Sequence, residues 1–149
     1  MTTEKKPKTF EDLYPSRFLK ASDLQGKKPT LTIRDVETEM IETETGPKLK
    51  AILMFAETEK QEIAAKTNGL CLKAMFGSTL SNWIGKRVTL FEGEWNGEPA
   101  VRVWGSPDIE NDFDVPIALV LKIQGKVKTK KFTMTMHKVA PRKRESGED

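Results

Sequence analysis

The sequence predicts a mainly β domain: a five-stranded barrel with a helix between its third and fourth strands, followed by a C-terminal β-hairpin extension. Three observations predict it. Apolar and polar residues alternate along successive short runs between Pro29 and Gly105, the period of strands with one buried face. The period turns helical between Thr67 and Gly77, once only. Asn96-Gly97 sits between two alternating runs, Lys86 to Trp95 and Glu98 to Trp104, and supplies the positive φ angles that a two-residue hairpin turn needs.

Taken in order, residues 1–13 are polar, Lys-rich and broken by Pro7, which predicts a disordered arm. The lead-in from Tyr14 has Pro15 to block a long helix and offers Phe18, Leu19 and Leu24 as apolar anchors. Pro29 to Ile41 alternates Leu31 and Ile33 against Thr30, Thr32 and Arg34, slips parity after Asp35 and resumes at Val36, as a strand with a bulge would. Glu37, Glu39, Glu42 and Glu44 then form an acidic tip ending at Gly46-Pro47, either a solvated loop or a patch mimicking nucleic acid. Lys48 to Ala56 reads as a central strand, and Gln61 to Lys66 as a short third one. Thr67 or Asn68 can cap a helix carrying Leu70, Leu72, Met75 and Phe76, which Gly77 ends. A second short turn closes at Gly85. Leu70, Met75, Phe76 and Trp83 would plug one end of the barrel.

In the hairpin of Lys86 to Trp104, Val88, Leu90, Val101 and Val103 share one face, and Arg87, Thr89, Phe91, Arg102 and Trp104 the other. Gly93 is where a bulge would free Trp95 from the parity of its neighbours. This succession of strands and helix over residues 14–107 is the element order of an OB-fold, a Greek-key barrel. Residues 108–140 supply an acidic linker and a second hairpin, Val115 to Ile123 and Lys126 to Val139 around Gln124-Gly125, and residues 141–149 a disordered tail.

Of the 149 residues 32% are charged, and the net charge of +3 is unevenly spread. Residues 115–144 hold nine Lys or Arg and no acid, which points to a polyanionic partner. Lys126, Lys128 and Lys130 share one parity and could follow a phosphate backbone. Trp95, Trp104 and Phe91 are the candidate stacking residues for bases, and Arg34, Lys48, Lys50, Arg87 and Arg102 the candidate cations on strands. His137 reads as an exposed partner of phosphate or solvent. The unpaired strand edges of the second hairpin would allow homo-oligomers.

Other chemistry has little to work with. One Cys71 and one His137, far apart, give no metal-ligand spacing, and no cofactor motif occurs. Walker, HExxH and Ser-His-Asp patterns are missing, which argues against an enzyme. Asp108, Glu110, Asp112 and Asp114 alternate as a solvated connection does, not as a metal cage. No apolar run is long enough for a membrane span and the N-terminus lacks a signal-peptide core, so a cytoplasmic location in a bacterial host cell is expected.

FLKASDL (Phe18 to Leu24), KTN (Lys66 to Asn68), WIGKRVTL (Trp83 to Leu90) and VRV (Val101 to Val103) together resemble small proteins carried by bacteriophages and prophages. The resemblance implies an OB-like barrel of mobile-element origin, similar in kind to single-stranded DNA-binding proteins of replication and recombination. The function expected is thus non-catalytic binding of single-stranded DNA, or of RNA, with replication or recombination proteins as further partners. The competing expectation is a protein-interaction module, an adaptor or inhibitor of a host protein, built on the same barrel.

Overall fold

The strand β1 (Thr30–Thr43) is shared between two ladders, and the rest of the sheet is arranged by that division. Its first residues pair with β4 (Arg87–Trp95), Leu31 opposite Val88, and from Ile33 onward it pairs with β2 (Gly46–Phe55). The register slips between Ile33 and Asp35, where the alternation of the sequence breaks, and Arg34 is the extra residue. The computed structural model describes residues 17–43, 46–95 and 97–140. The arm expected over residues 1–13, the tail over 141–149, and Glu44 and Asn96 lie outside the described residues.

The order along the sheet is β3-β2-β1-β4-β5-β7-β6, where β3 is Gln61–Ala64, β5 Glu98–Ser106, β6 Phe113–Ile123 and β7 Lys126–Lys138. Against the five strands expected for a barrel, the sheet carries seven among the described residues, because the C-terminal hairpin joins it. Among the described residues no ladder pairs β3 with β5, so the sheet is not closed. The junction between β5 and β7 is parallel and short, Gly105 opposite His137 and Ser106 opposite Lys138. It brings β6 and β7 into one core: Val115, Ile117, Leu119 and Met136 pack in the same cluster as Ile33, Leu53, Phe55, Leu90 and Val103.

The helix α1 (Lys66–Phe76) lies between β3 and β4 in sequence and packs on β3, β5, β6 and β7. Its N-cap, Ala65, comes two or three residues before the expected caps, and Thr67 and Asn68 are buried inside the first turn. Gly77 ends it with φ +99°, a backbone that residues with a Cβ rarely adopt. Cys71, Leu72 and Trp83 are fully enclosed, with Leu70, Met75 and Phe76 packed around them. The lead-in bonds to β3 through Leu19 N to Gln61 O and Gln61 N to Arg17 O, both 2.8 Å.

Three expectations change. The acidic residues Glu37, Glu39 and Glu42 belong to β1 itself, paired with β2, rather than to a loop, because the ladder runs on to Thr43. The irregularity in β4 falls between Thr89 and Leu90, not at Gly93, which stays in register opposite Ala100. Trp95 therefore shares its parity with Phe91 and Gly93. A Cβ on Gly93 would come within 2.8 Å of Arg102 Cγ, so glycine is required there because the Arg102 side chain crosses it. Arg102 accordingly is 8% exposed, although its parity had pointed it outward.

Candidate functional site

On the N-terminal side of Gly105 and His137, β5 and β7 part, and a cleft of ≈460 Å³ opens between the hairpins β4–β5 and β6–β7. One wall carries Phe91, Glu92, Gly93, Glu94, Trp95 and Arg102, the other Lys130, Phe132 and Met134. The alternation explains both walls. Phe91, Gly93 and Trp95 lie on one face of β4, with Arg102 opposite Phe91, and Lys130, Phe132 and Met134 lie on one face of β7. Lys126 and Lys128 extend that same face, exposed, toward the tip of the hairpin.

Trp95 is the centre of the cleft. Arg102 Cζ stands 5.6 Å and Lys130 Nζ 4.5 Å from its ring centroid, and Lys130 is also 5.8 Å from Phe132. These are cation–π distances. At the closed end the Trp104 ring stacks on His137, centroids 4.0 Å apart and planes 19° apart, and meets Phe91 edge-on at 5.2 Å. Lys28 Nζ lies 4.7 Å from the Trp104 centroid. Three neighbours thus occupy Trp104, which latches the two hairpins rather than offering an open face. Asp112 Oδ2 lies 3.7 Å from the His137 Nδ1, and the half-buried His137 ring lies against Trp104 rather than wholly in solvent.

The cations expected on strands fall into three places. Arg34, exposed in the β1 bulge, and Lys48 and Lys50 on β2 do not line the cleft. Arg87 is clamped to Asp108: Nη2 donates to Oδ1 and the backbone N to Oδ2, both at 2.7 Å. That hydrogen bond holds the Asp108 carboxyl below its usual value and raises the guanidinium. Arg102 and Lys130 line the cleft. The sequence reading missed Lys28 and the clamps Asp108 and Asp112, which it took for solvated linker. Asp112 Oδ1 accepts from Lys138 N at 2.7 Å, and Asp114 from Thr135 Oγ1 at 2.8 Å.

Also missed was a buried polar group behind Trp95. Asn68 Nδ2 donates to Glu62 Oε2 at 3.2 Å and to Val101 O at 3.0 Å, tying α1 to β3 and to the free edge of β5. Burial pushes the Glu62 carboxyl up to about 8, against the lowering effect of Asn68 and Arg102. Burial likewise pushes the Cys71 thiol up to about 11, so it stays protonated and unreactive. Desolvation lowers the Arg102 guanidinium. The one sign in the sequence was Glu62, a carboxylate where the alternation of β3 puts a residue facing inward.

Among the described residues no group of three His, Cys, Asp or Glu side chains could hold a metal ion, and no helix is long and apolar enough to cross a membrane. No protein-family model, curated protein or solved structure matches the chain.

Proposed function

We propose that this chain is a non-catalytic single-stranded DNA-binding protein of a phage or mobile element, acting in replication or recombination. The observation that carries the proposal is Trp95, set in an open cleft between two cations and followed along one face by Lys130, Lys128 and Lys126. Bases stack on aromatic rings for about 1 to 3 kcal/mol each, whatever their identity, while lysines track the phosphates. Lys130 is exposed, and a base can replace its ammonium over the indole. RNA would satisfy the same contacts.

What supports the reading is a sheet with OB-like strand order, open between β3 and β5 and extended by a hairpin. A bent β1 paired with both β2 and β4, the order β3-β2-β1-β4-β5 and a helix between β3 and β4 are features of that architecture. The mobile-element setting rests on the resemblance expected from FLKASDL, KTN, WIGKRVTL and VRV taken together. The free edge of β6 is where copies would assemble along a strand.

A second reading has its own observation. Glu92 and Glu94 line the same cleft and repel phosphates, which favours a basic peptide in a protein-interaction module. Quenching of tryptophan fluorescence by oligothymidine at rising salt separates the two. The DNA reading predicts quenching that is lost steeply with salt, and absence of quenching at low salt sinks it.

A further inference from the structure

Where β3 and β5 leave the sheet unpaired lies a second cavity, ≈420 Å³, on the other side of Trp95 and Arg102, both of which line the two cavities. Phe18 and Pro99 contribute to its walls, exposed Lys20 stands at its edge, and Glu62, Asn68 and Arg102 are its buried polar lining. All three polar residues are more than nine-tenths buried, at 6%, 2% and 8% exposure.

Their hydrogen-bonding capacity is largely unused. Arg102 forms no hydrogen bond or ion pair among the described residues, and its nearest aromatic partner is Trp95. Most of the Arg102 side chain is buried while its guanidinium nitrogens keep contact with solvent, which leaves them able to take an acceptor. Asn68 spends its Nδ2 on Glu62 and Val101, which fixes the orientation of the amide and leaves Oδ1 buried without a partner. Glu62 has that single hydrogen bond among the described residues. The cavity therefore sets unspent donors from β5 beside unspent acceptors from β3 and α1, next to an indole.

A ligand that answers this arrangement carries two acceptors on one edge, two donors on the adjoining edge, and a flat face. Among the four bases guanine has that pattern, with O6 and N7 as acceptors and N1–H and N2–H as donors. Arginine paired to O6 and N7 is the commonest specific contact to a base. Adenine would turn its amino group toward the guanidinium, and thymine and cytosine lack the second donor.

We propose that this cavity is a guanine subsite for one nucleotide of the bound strand, with Arg102 on O6 and N7, Glu62 on N1–H and N2–H, and Trp95 against the base. The subsite rests on the single-strand reading given above. Burial holds the Glu62 carboxyl up at about 8, so taking guanine through N1–H and N2–H requires it to release its proton to solvent, and the two N–H donors then supply what the buried anion lacks. Asn68 keeps the carboxyl in place and adds an acceptor behind it.

The test measures affinity of the full chain for a short labelled oligothymidine carrying one central guanine, adenine or cytosine. Guanine is expected to bind about tenfold or more tighter than adenine. Hypoxanthine, without the N2 amino group, and 7-deazaguanine, without N7, should each lose part of that preference, and they probe the pocket without altering the protein. Glu62→Gln, checked by its melting curve, should lower the ratio of guanine to adenine affinity. Equal affinity for all four bases overturns the subsite and leaves the single-strand reading standing. Failure of every oligonucleotide to bind overturns both.

Discussion

Gly105 of β5 lies so close to His137 of β7 that a Cβ at position 105 would sit 2.6 Å from the His137 amide nitrogen and closer still to its carbonyl oxygen. Only a hydrogen fits there. This contact joins the two hairpins in parallel and sets the point from which the cleft opens. Gly105→Ala must therefore push β7 away, at a cost of about 3 kcal/mol or more. Chemical denaturation should show that loss, together with weaker binding of single strands. A variant as stable as the wild type would mean that the junction is looser than the structure has it.

The two tryptophans of the cleft should separate cleanly. Trp95 faces the groove, so Trp95→Ala should weaken binding of oligothymidine by about 1 to 3 kcal/mol with little change in melting temperature. Trp104 is packed by Phe91, His137 and Lys28, so Trp104→Ala should lower the melting temperature first. Paired melting and binding curves for both variants check this. The opposite pattern would make Trp104 the stacking residue.

Much of this was legible in the sequence. The Asn-Gly turn and the alternation around it gave β4 and β5, and the parity slip after Asp35 marked the bulge of β1. Alternation also put Phe91 with Arg102, and Lys130 with Phe132 and Met134. A period of two specifies which residues share a face, but not what covers that face. Arg102 has the pattern of an outward cation and is buried because Gly93 lets its side chain lie across β4 beneath Trp95. The stacking of Trp104 on His137 depends on a parallel pairing between residues distant in the chain, which carries no local signal. Glu62 and Asn68 are near in sequence, but their meeting with Val101 and Arg102 depends on α1 packing against β5, which carries no local signal either.

Stability should depend on pH through Glu62, which faces Asn68 of α1 and Arg102 of β5. Its carboxyl is raised from 4.5 to about 8, so the folded state holds a proton that the unfolded chain releases. The contribution is fully present below about pH 4.5 and is lost as pH rises toward 8. The loss should amount to a few kcal/mol. In Glu62→Gln that dependence should flatten, as denaturation curves at several pH values will show. An unchanged profile would mean that Glu62 is ionised and solvated in the folded protein.

Lys126 and Lys128 are exposed and on the cleft face of β7, so they bear on binding rather than on folding. Each replacement by Ala should reduce the slope of log affinity against log salt by about 1, uniformly across sequences. Melting curves should not move. Unchanged slopes would take the phosphate path off this face of the hairpin.

The most direct test of the central claim is fluorescence anisotropy of labelled oligothymidine titrated with the protein at low and at physiological salt, with duplex DNA of the same length as competitor. The cleft and its lysines predict tight binding that falls steeply with salt and that duplex cannot displace at equal concentration. Absence of binding, or equal affinity for duplex, would contradict a stacking groove and point instead to a basic peptide between Glu92, Glu94 and Trp95.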